Sequence, residues 1–272
     1  MKDEYLSEVT SQAEYVARAR ARLAKAGLTR VDLGGTVYWT GGTGPETICL
    51  LHGANDHAGS WGWVAPALAK SHRLIIPDLP GHGESDPHTG PIYMQFMVDR
   101  VSAILDAESV SRMTLAGNSM GAWVAILHTL AHPEQVSRLV LESGGGLAMP
   151  LGVPLVTSNR DEAARMLRAA HGPRAQLPEW TIDALITRST DSPMVRLVTS
   201  DLISHLVDNR LSEIKTPTTI IWGADDGVVP RNYVERLHEL ITGSELVVIA
   251  DAAHIPHIQQ PERIVECLLS TS

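Results

Sequence analysis

The stretch Gly117-Asn118-Ser119-Met120-Gly121 decides how this sequence is interpreted, because it places a serine two residues from a glycine on either side. A short apolar run at 113–116 predicts a strand before it, and the pattern from 120 to 131 predicts a helix after it. A serine on such a sharp turn has a strained backbone and points its hydroxyl out of the carboxyl edge of a sheet. The spacing alone is weak evidence, but its position between strand and helix predicts that Ser119 is a nucleophile.

Strand and helix patterns alternate on both sides of this turn. Helices are expected at 92–108 and 261–269, and the short runs that predict strands are 30–33, 36–40, 47–51, 74–77, 113–116, 138–141, 218–222 and 245–249. Alternation of this kind is typical of a mostly parallel sheet with helices on both faces. The expected class is therefore α/β, with eight strands.

The strand pattern disappears between 144 and 209. Five prolines separate short helical stretches such as 160–170 and 180–187: Pro150, Pro154, Pro173, Pro178 and Pro193. Because strands return afterwards, we expect a helical cap inserted at 144–210 that divides one core into residues 30–143 and 211–272.

Residues 1–29 form a separate N-terminal part, and an amphipathic helix is expected from residue 3 to 26. Its apolar residues recur at three- and four-residue intervals before Gly27: Leu6, Val9, Ala13, Val16 and Leu23. Packing on the main body is the simplest interpretation. A homodimer contact and a flap over the active site are the alternatives.

Composition excludes several classes of protein. The chain has 272 residues, 44% hydrophobic and 19% charged, which excludes disorder, collagen-like fibres and disulfide scaffolds. Its 22 Lys and Arg against 31 Asp and Glu give a formal charge of −9, which would repel nucleic acid and an anionic membrane surface. We expect a small-molecule substrate and neither nucleic acid nor a membrane as partner.

The two cysteines, Cys49 and Cys267, are interpreted as unpaired core thiols in a reducing compartment. The N-terminus lacks a signal-peptide pattern, and no apolar stretch approaches the ~18 residues of a membrane span. These observations predict a cytoplasmic protein.

A serine hydroxyl needs a base, and that base needs an orienting acid. His254 follows the predicted strand 245–249, and Asp226 follows the strand 218–222, so both belong at the same sheet edge as Ser119. Their chain order, Ser then Asp then His, is the one used with this type of turn. Asp225 and Glu142, which closes the strand 138–141, remain alternative acids.

With these three residues placed, the sequence resembles the α/β-hydrolase family from about residue 30 onward. His52-Gly53-Ala54 matches the family's His-Gly turn, so the resemblance implies that the backbone N–H groups of Ala54 and Met120 bind an oxyanion. The loop from Pro77 to Ser85 also matches the family and is interpreted as structural.

Other side chains are candidates for the substrate pocket, with packing or a solvated loop as the alternative for each: Asn55, His57, Trp61, Trp63, Met149, Trp180 and His257. His128 and His132 stand four residues apart, but no acidic partner accompanies them in the pattern of a metal site. No metal and no cofactor is expected.

The resemblance implies hydrolysis of a carboxylic ester, thioester or lactone, because relatives that open epoxides or remove halides carry an aspartate in place of Ser119. Part of the sequence also resembles the meta-cleavage product hydrolases, which break C–C bonds. His52-Gly53-Ala54-Asn55-Asp56-His57 and Ile255 depart from that subfamily's pattern. Such a hydrolase needs a cation for its substrate's carboxylate, and the candidates are Arg160, Arg165, Arg168, Arg174, Arg188 and Arg196. A catalytically silent protein that binds a ligand is the third alternative.

Overall fold

The computed structural model describes residues 6, 9–187 and 190–270. Its eight strands form one sheet in the order β1-β2-β4-β3-β5-β6-β7-β8. The first two pairings, β1 with β2 and β2 with β4, are antiparallel, and the remaining pairings are parallel. The strands are β1 Thr29–Leu33, β2 Thr36–Gly41, β3 Thr47–Leu51, β4 Arg73–Pro77, β5 Met113–Asn118, β6 Val136–Glu142, β7 Thr218–Gly223 and β8 Glu245–Ile249. The expected mostly parallel sheet is confirmed.

Helices cover both faces of the sheet, because each central strand presents apolar residues alternately to either side. The helices are α1 Gln12–Lys25, α2 Ala65–Leu68, α3 Met94–Ala107, α4 Met120–Ala131, α5 Arg160–His171, α6 Glu179–Thr187, α7 Pro193–Val198, α8 Arg231–Leu240, α9 Pro256–Gln259 and α10 Pro261–Leu269. In β3, Cys49 and Leu51 pack with α3, α4 and α8, whereas Ile48 and Leu50 pack with α1, α2 and α10. Among the described residues, none of these helices is long and apolar enough to cross a bilayer.

The predicted N-terminal helix is interrupted at Val9 and Thr10, and α1 begins only after this break. Ser11 is its N-cap: the side chain accepts a hydrogen bond from the N–H of Glu14, so α1 starts at Gln12. Leu6 is helical, whereas Val9 and Thr10 are not, and both Leu6 and Val9 are buried as expected. Residues 3–5, 7 and 8 of the predicted helix lie outside the described residues.

Between β6 and β7, the described residues form α5, α6 and α7 and no strand. Trp180 in α6 donates a hydrogen bond from Nε1 to the carbonyl of Val9, 2.8 Å away, which joins this segment to the N-terminal part. The carbonyls of Ala169 and Ala170, near the end of α5, accept hydrogen bonds from the N–H groups of Gly227 and His254, each at 3.0 Å. This segment therefore packs directly on the loops that follow β7 and β8.

Candidate active site

Ser119 lies in the one-residue turn between β5 and α4. Its φ of 54° and ψ of −114° place it in a region that non-glycine residues rarely adopt. A Cβ atom on Gly117 would lie 2.3 Å from the backbone of Gly121, and one on Gly121 would lie 2.3 Å from the carbonyl oxygen of Leu51. Any side chain at either glycine would push strand and helix apart, which explains why glycines flank this turn.

His254 and Asp226 meet at the carboxyl edge of the sheet. The Nδ1 atom of His254 lies 3.0 Å from Oδ2 of Asp226, and both residues are buried. The other oxygen, Oδ1, accepts hydrogen bonds from the N–H groups of Val228 and Val229 at 2.8 and 2.9 Å. Both carboxylate oxygens are therefore held, and Oδ2 of Asp226 contacts the imidazole of His254.

Each of the two alternative acids binds another residue. Asp225 accepts a hydrogen bond from Arg174 at 3.0 Å in an exposed ion pair. Glu142 is buried, and its Oε1 lies 2.5 Å from Nδ1 of His257. Of these three carboxylates, only Asp226 forms a hydrogen bond with the imidazole of His254.

The surroundings of His254 act on its pKa in opposite directions. Burial lowers the pKa, whereas the charge of Asp226, its hydrogen bond and the charge of Glu142 raise it. The carboxylates outweigh burial, so the pKa of His254 ends above its ordinary value. The site therefore favours the imidazolium form, which is the form that a histidine takes when it accepts a proton from a serine.

A first cavity of about 230 Å³ has both Ser119 and His254 on its wall. Four residues that the sequence suggested also line it: Ala54, Asn55, His57 and Trp180. Residues that sequence reasoning missed complete the wall, among them Gln12, Tyr15 and His171. The amphipathic pattern of α1 indicated a buried face, and a flap over the site was one alternative, but the pattern could not show which residues reach the cavity.

A second cavity, of about 140 Å³, also opens on Ser119 and Ala54. Its wall includes Met120 and Met149 and is otherwise almost entirely apolar. The hydroxyl of Tyr233 accepts a hydrogen bond from the N–H of Leu147 at 2.7 Å, so this polar group already has a partner. Ser119 thus lies where two cavities of different polarity meet.

The two proposed oxyanion donors, Ala54 and Met120, line the second cavity together with Ser119. Met120 is the first residue of α4, so its N–H has no acceptor within the helix. Ala54 lines both cavities, and the next residue, Asn55, has a φ of 61°. The Oδ1 atom of Asn55 accepts a hydrogen bond from the N–H of Met194 at 3.0 Å, which holds this turn against α7.

The expectation that Trp61 lines the pocket is corrected by the structure. Trp61 is 1% exposed and stacks on the imidazole of His257 with ring centroids 4.3 Å apart, and it belongs to neither cavity wall. A tryptophan near the His-Gly turn was a reasonable candidate from sequence. Its side chain packs in the core on the face of the sheet that α1, α2 and α10 cover, together with Ala58 and Val64.

No lysine or arginine lines either cavity among the described residues. Arg160 pairs with Glu179 and Asp183 at the surface, and Arg174 pairs with Asp225 and Asp251. Arg196 donates to the backbone carbonyls of residues 87, 88 and 90. Arg165 and Arg168 lie on neither wall, and Arg188 lies outside the described residues.

Comparison with known proteins agrees with this geometry. Residues 50–267 match the model of the alpha/beta hydrolase family, which covers most of the chain. The chain belongs to this family.

The proteins that this chain resembles differ in what they act on. The 2-hydroxy-6-oxononadienedioate/2-hydroxy-6-oxononatrienedioate hydrolase of Escherichia coli K12 is 29% identical over 239 residues, covering 78% of this chain and 82% of that protein. A membrane phospholipase A described as a bacterial virulence factor superimposes with a TM-score of 0.80 at 25% identity, covering 94% of this chain and 89% of the other. Est816, an N-acyl homoserine lactone degrading enzyme, has a TM-score of 0.75 at 28% identity, covering 90% and 100%.

Proposed function

We propose that this protein is a serine hydrolase that cleaves a carboxylic ester, or a related thioester or lactone, through an acyl-enzyme on Ser119. The observation that carries the proposal is the pairing of His254 with Asp226 on the cavity wall that also contains the strained Ser119. This is the set of groups that acyl transfer requires. A silent ligand-binding protein would have no use for it.

In the proposed reaction, the Oγ atom of Ser119 attacks the ester carbonyl while His254 takes its proton. The tetrahedral intermediate then expels the alcohol, which receives that proton from His254. Water repeats the sequence on the acyl-enzyme and releases the carboxylic acid. Asp226 holds the imidazole throughout, and the N–H groups of Ala54 and Met120 stabilise the oxyanion.

The two cavities suggest which part of the substrate goes where. The leaving alcohol must lie within reach of His254, and His254 lines only the first cavity. The acyl group then extends into the second, apolar cavity, roofed in part by the proposed cap at 144–210. If a methylene group has about the volume of a water molecule, ~30 Å³, then 140 Å³ accommodates an acyl chain of roughly five carbons.

Cleavage of C–C bonds in vinylogous diketo acids is the second candidate, favoured by the similarity to the Escherichia coli hydrolase. Such a substrate carries a carboxylate next to the keto group that is not attacked and would need a cation in the site to bind it. The described cavity walls supply no lysine or arginine, and Asp56 on the first wall would repel a carboxylate. The geometry therefore supports the neutral ester better.

The test is a substrate panel assayed with the Ser119→Ala variant as blank. It comprises p-nitrophenyl esters from acetate to octanoate, an aryl thioester, an acyl homoserine lactone and a vinylogous 1,5-diketo acid. We expect turnover of the neutral esters with the highest kcat/KM near a four- to six-carbon acyl chain, and much weaker turnover of the diketo acid. A higher kcat/KM for the diketo acid, abolished by Arg188→Gln while ester hydrolysis is spared, would put the second candidate first.

The pH dependence of ester hydrolysis should report on His254. Only the neutral imidazole can accept the proton of Ser119, so kcat/KM should rise with pH and reach a plateau. Because the pKa of His254 is raised, the midpoint should lie above the ordinary value of ~6.5. Measurement of kcat/KM from pH 5 to 9 checks this, and a midpoint below 6.5 would show that burial outweighs the charge of Asp226.

A further inference from the structure

A second buried pair of carboxylate and imidazole lies next to the proposed site, and the reaction as proposed does not use it. Glu142 is the last residue of β6 and His257 is the second residue of α9. Their side chains are joined at 2.5 Å and are at most 2% exposed, and Trp61 covers the imidazole by stacking. Burying a carboxylate costs free energy that is offset only where the charge is paired and hydrogen-bonded, as Glu142 is by His257 and Asn118.

Asn118 connects this pair to the proposed base. One side-chain amide nitrogen, Nδ2 of Asn118, donates to Oε1 of Glu142 at 3.1 Å and to the backbone carbonyl of His254 at 2.9 Å. Both amide hydrogens are thereby used. The backbone carbonyl of Glu142 also accepts a hydrogen bond from the N–H of Ser119 at 2.8 Å. Glu142 is thus hydrogen-bonded directly to the backbone of Ser119, and Asn118 links it to the backbone of His254.

Three titratable groups act on the imidazole of His254, and Glu142 is one of them. Asp226 faces the imidazole from the loop after β7, and His171 faces it from the end of α5. Burial lowers the pKa of His171 to about 4, so this neighbour is neutral near pH 7. Glu142 is then a second carboxylate that acts on His254, from the side of β6, in addition to Asp226.

We propose that Glu142 is a positioning residue: through Asn118 it fixes the backbone of His254 relative to Ser119, and its charge helps to stabilise the imidazolium that forms when Ser119 gives up its proton. This inference rests on the proposed function, in which His254 is the base. The acid that binds the ring is still Asp226. Glu142 does not touch the imidazole of His254. It acts on it through the hydrogen bonds of Asn118 to the backbone of His254 and through its negative charge.

The decisive variant is Glu142→Gln. Glutamine keeps an oxygen that can accept from Asn118 and His257, so the contacts survive while the charge is removed. We expect kcat/KM at the plateau to fall about tenfold and the midpoint of the pH profile to move down by roughly half a unit to one unit, because a nearby negative charge that raised the pKa is lost. Glu108→Gln is the matched control, since Glu108 is also largely buried and is bonded to Tyr38 and Arg73. Arg73 is the first residue of β4, so this pair lies at the amino ends of the parallel strands, away from the edge that carries Ser119.

The same pH profile should be measured with a sulfonyl fluoride that reacts with the Oγ atom of Ser119 and releases fluoride. The rate of this labelling depends on His254 whatever the natural substrate is, so it separates failure of this inference from failure of the proposed ester. A midpoint that shifts down in Glu142→Gln but not in Glu108→Gln supports the inference. An unchanged midpoint, with any loss of activity matched by a loss of Tm, would show that Glu142 is only structural.

Discussion

Replacing Ser119 with alanine should leave a folded protein that hydrolyses a short-chain p-nitrophenyl ester about 10³-fold or more slowly than the unmodified chain. The variant loses the atom that forms the acyl-enzyme, whereas the oxyanion donors and both cavities remain, and these supply the residual rate. The alanine methyl group occupies the position of the serine Cβ, so the turn changes little. The measurement is kcat with a saturating ester, together with Tm to show that folding is intact.

Covalent labelling gives the control for this variant. A sulfonyl fluoride should add one group to the unmodified protein, at Ser119, and none to the alanine variant. Another serine near β5, such as Ser143, is buried and should stay unlabelled. Labelling at a different residue, combined with retained activity of the alanine variant, would remove Ser119 from the proposed role.

The second large effect is expected for Asp226→Asn, at about 10⁴-fold in kcat. One oxygen of Asp226 binds the N–H groups of Val228 and Val229, and an asparagine oxygen can keep those bonds. The asparagine NH₂ group then faces Nδ1 of His254, which holds the imidazole in the tautomer that protonates Nε2. The base is lost while the fold is preserved.

Asp225→Asn is the matched control, because it is the same substitution one residue earlier. Asp225 pairs with Arg174 at the surface, where an ion pair contributes little to stability, so this variant should keep nearly full activity. If Asp226→Asn proved mild and Glu142→Gln cost 10⁴-fold instead, the acid would be Glu142 at the end of β6, and both roles proposed above would be wrong.

The local sequence determined the sheet, the turn at Ser119 and the order of the three candidate residues. Short β-branched and apolar runs predict strands, and an apolar period of 3.6 residues predicts helices. Both patterns depend only on neighbours along the chain. The strands observed start and end within about two residues of the predicted runs. Since parallel strands all place their carboxyl ends at one edge, Ser119, Asp226 and His254 could also be predicted to lie at the same edge.

Local pattern was less informative about the N-terminal helix and the segment between β6 and β7. The apolar spacing from Leu6 onward was continuous with helix, but the side chain of Ser11 caps α1 and ends that continuity. A single side-chain hydrogen bond fixes where such a helix starts, so the spacing of apolar residues alone cannot locate the start. That Gln12 and Tyr15 would reach the first cavity depended on how α1 docks on the body.

The tertiary structure alone decided which carboxylate meets which imidazole and what lines the cavities. The sequence favoured Asp226 as the partner of His254 but left Glu142 open as an alternative, because both carboxylates stand at or just beyond the end of a strand. It did not suggest that Glu142 pairs with His257. Sequence also could not decide whether Trp61 lines a pocket or packs in the core, where it lies, because an apolar side chain suits both places. Pairing of this kind depends on side-chain direction over distances of a few ångströms between segments that are 28 residues apart in one pair and 115 in the other, and that information exists only once the chain is folded.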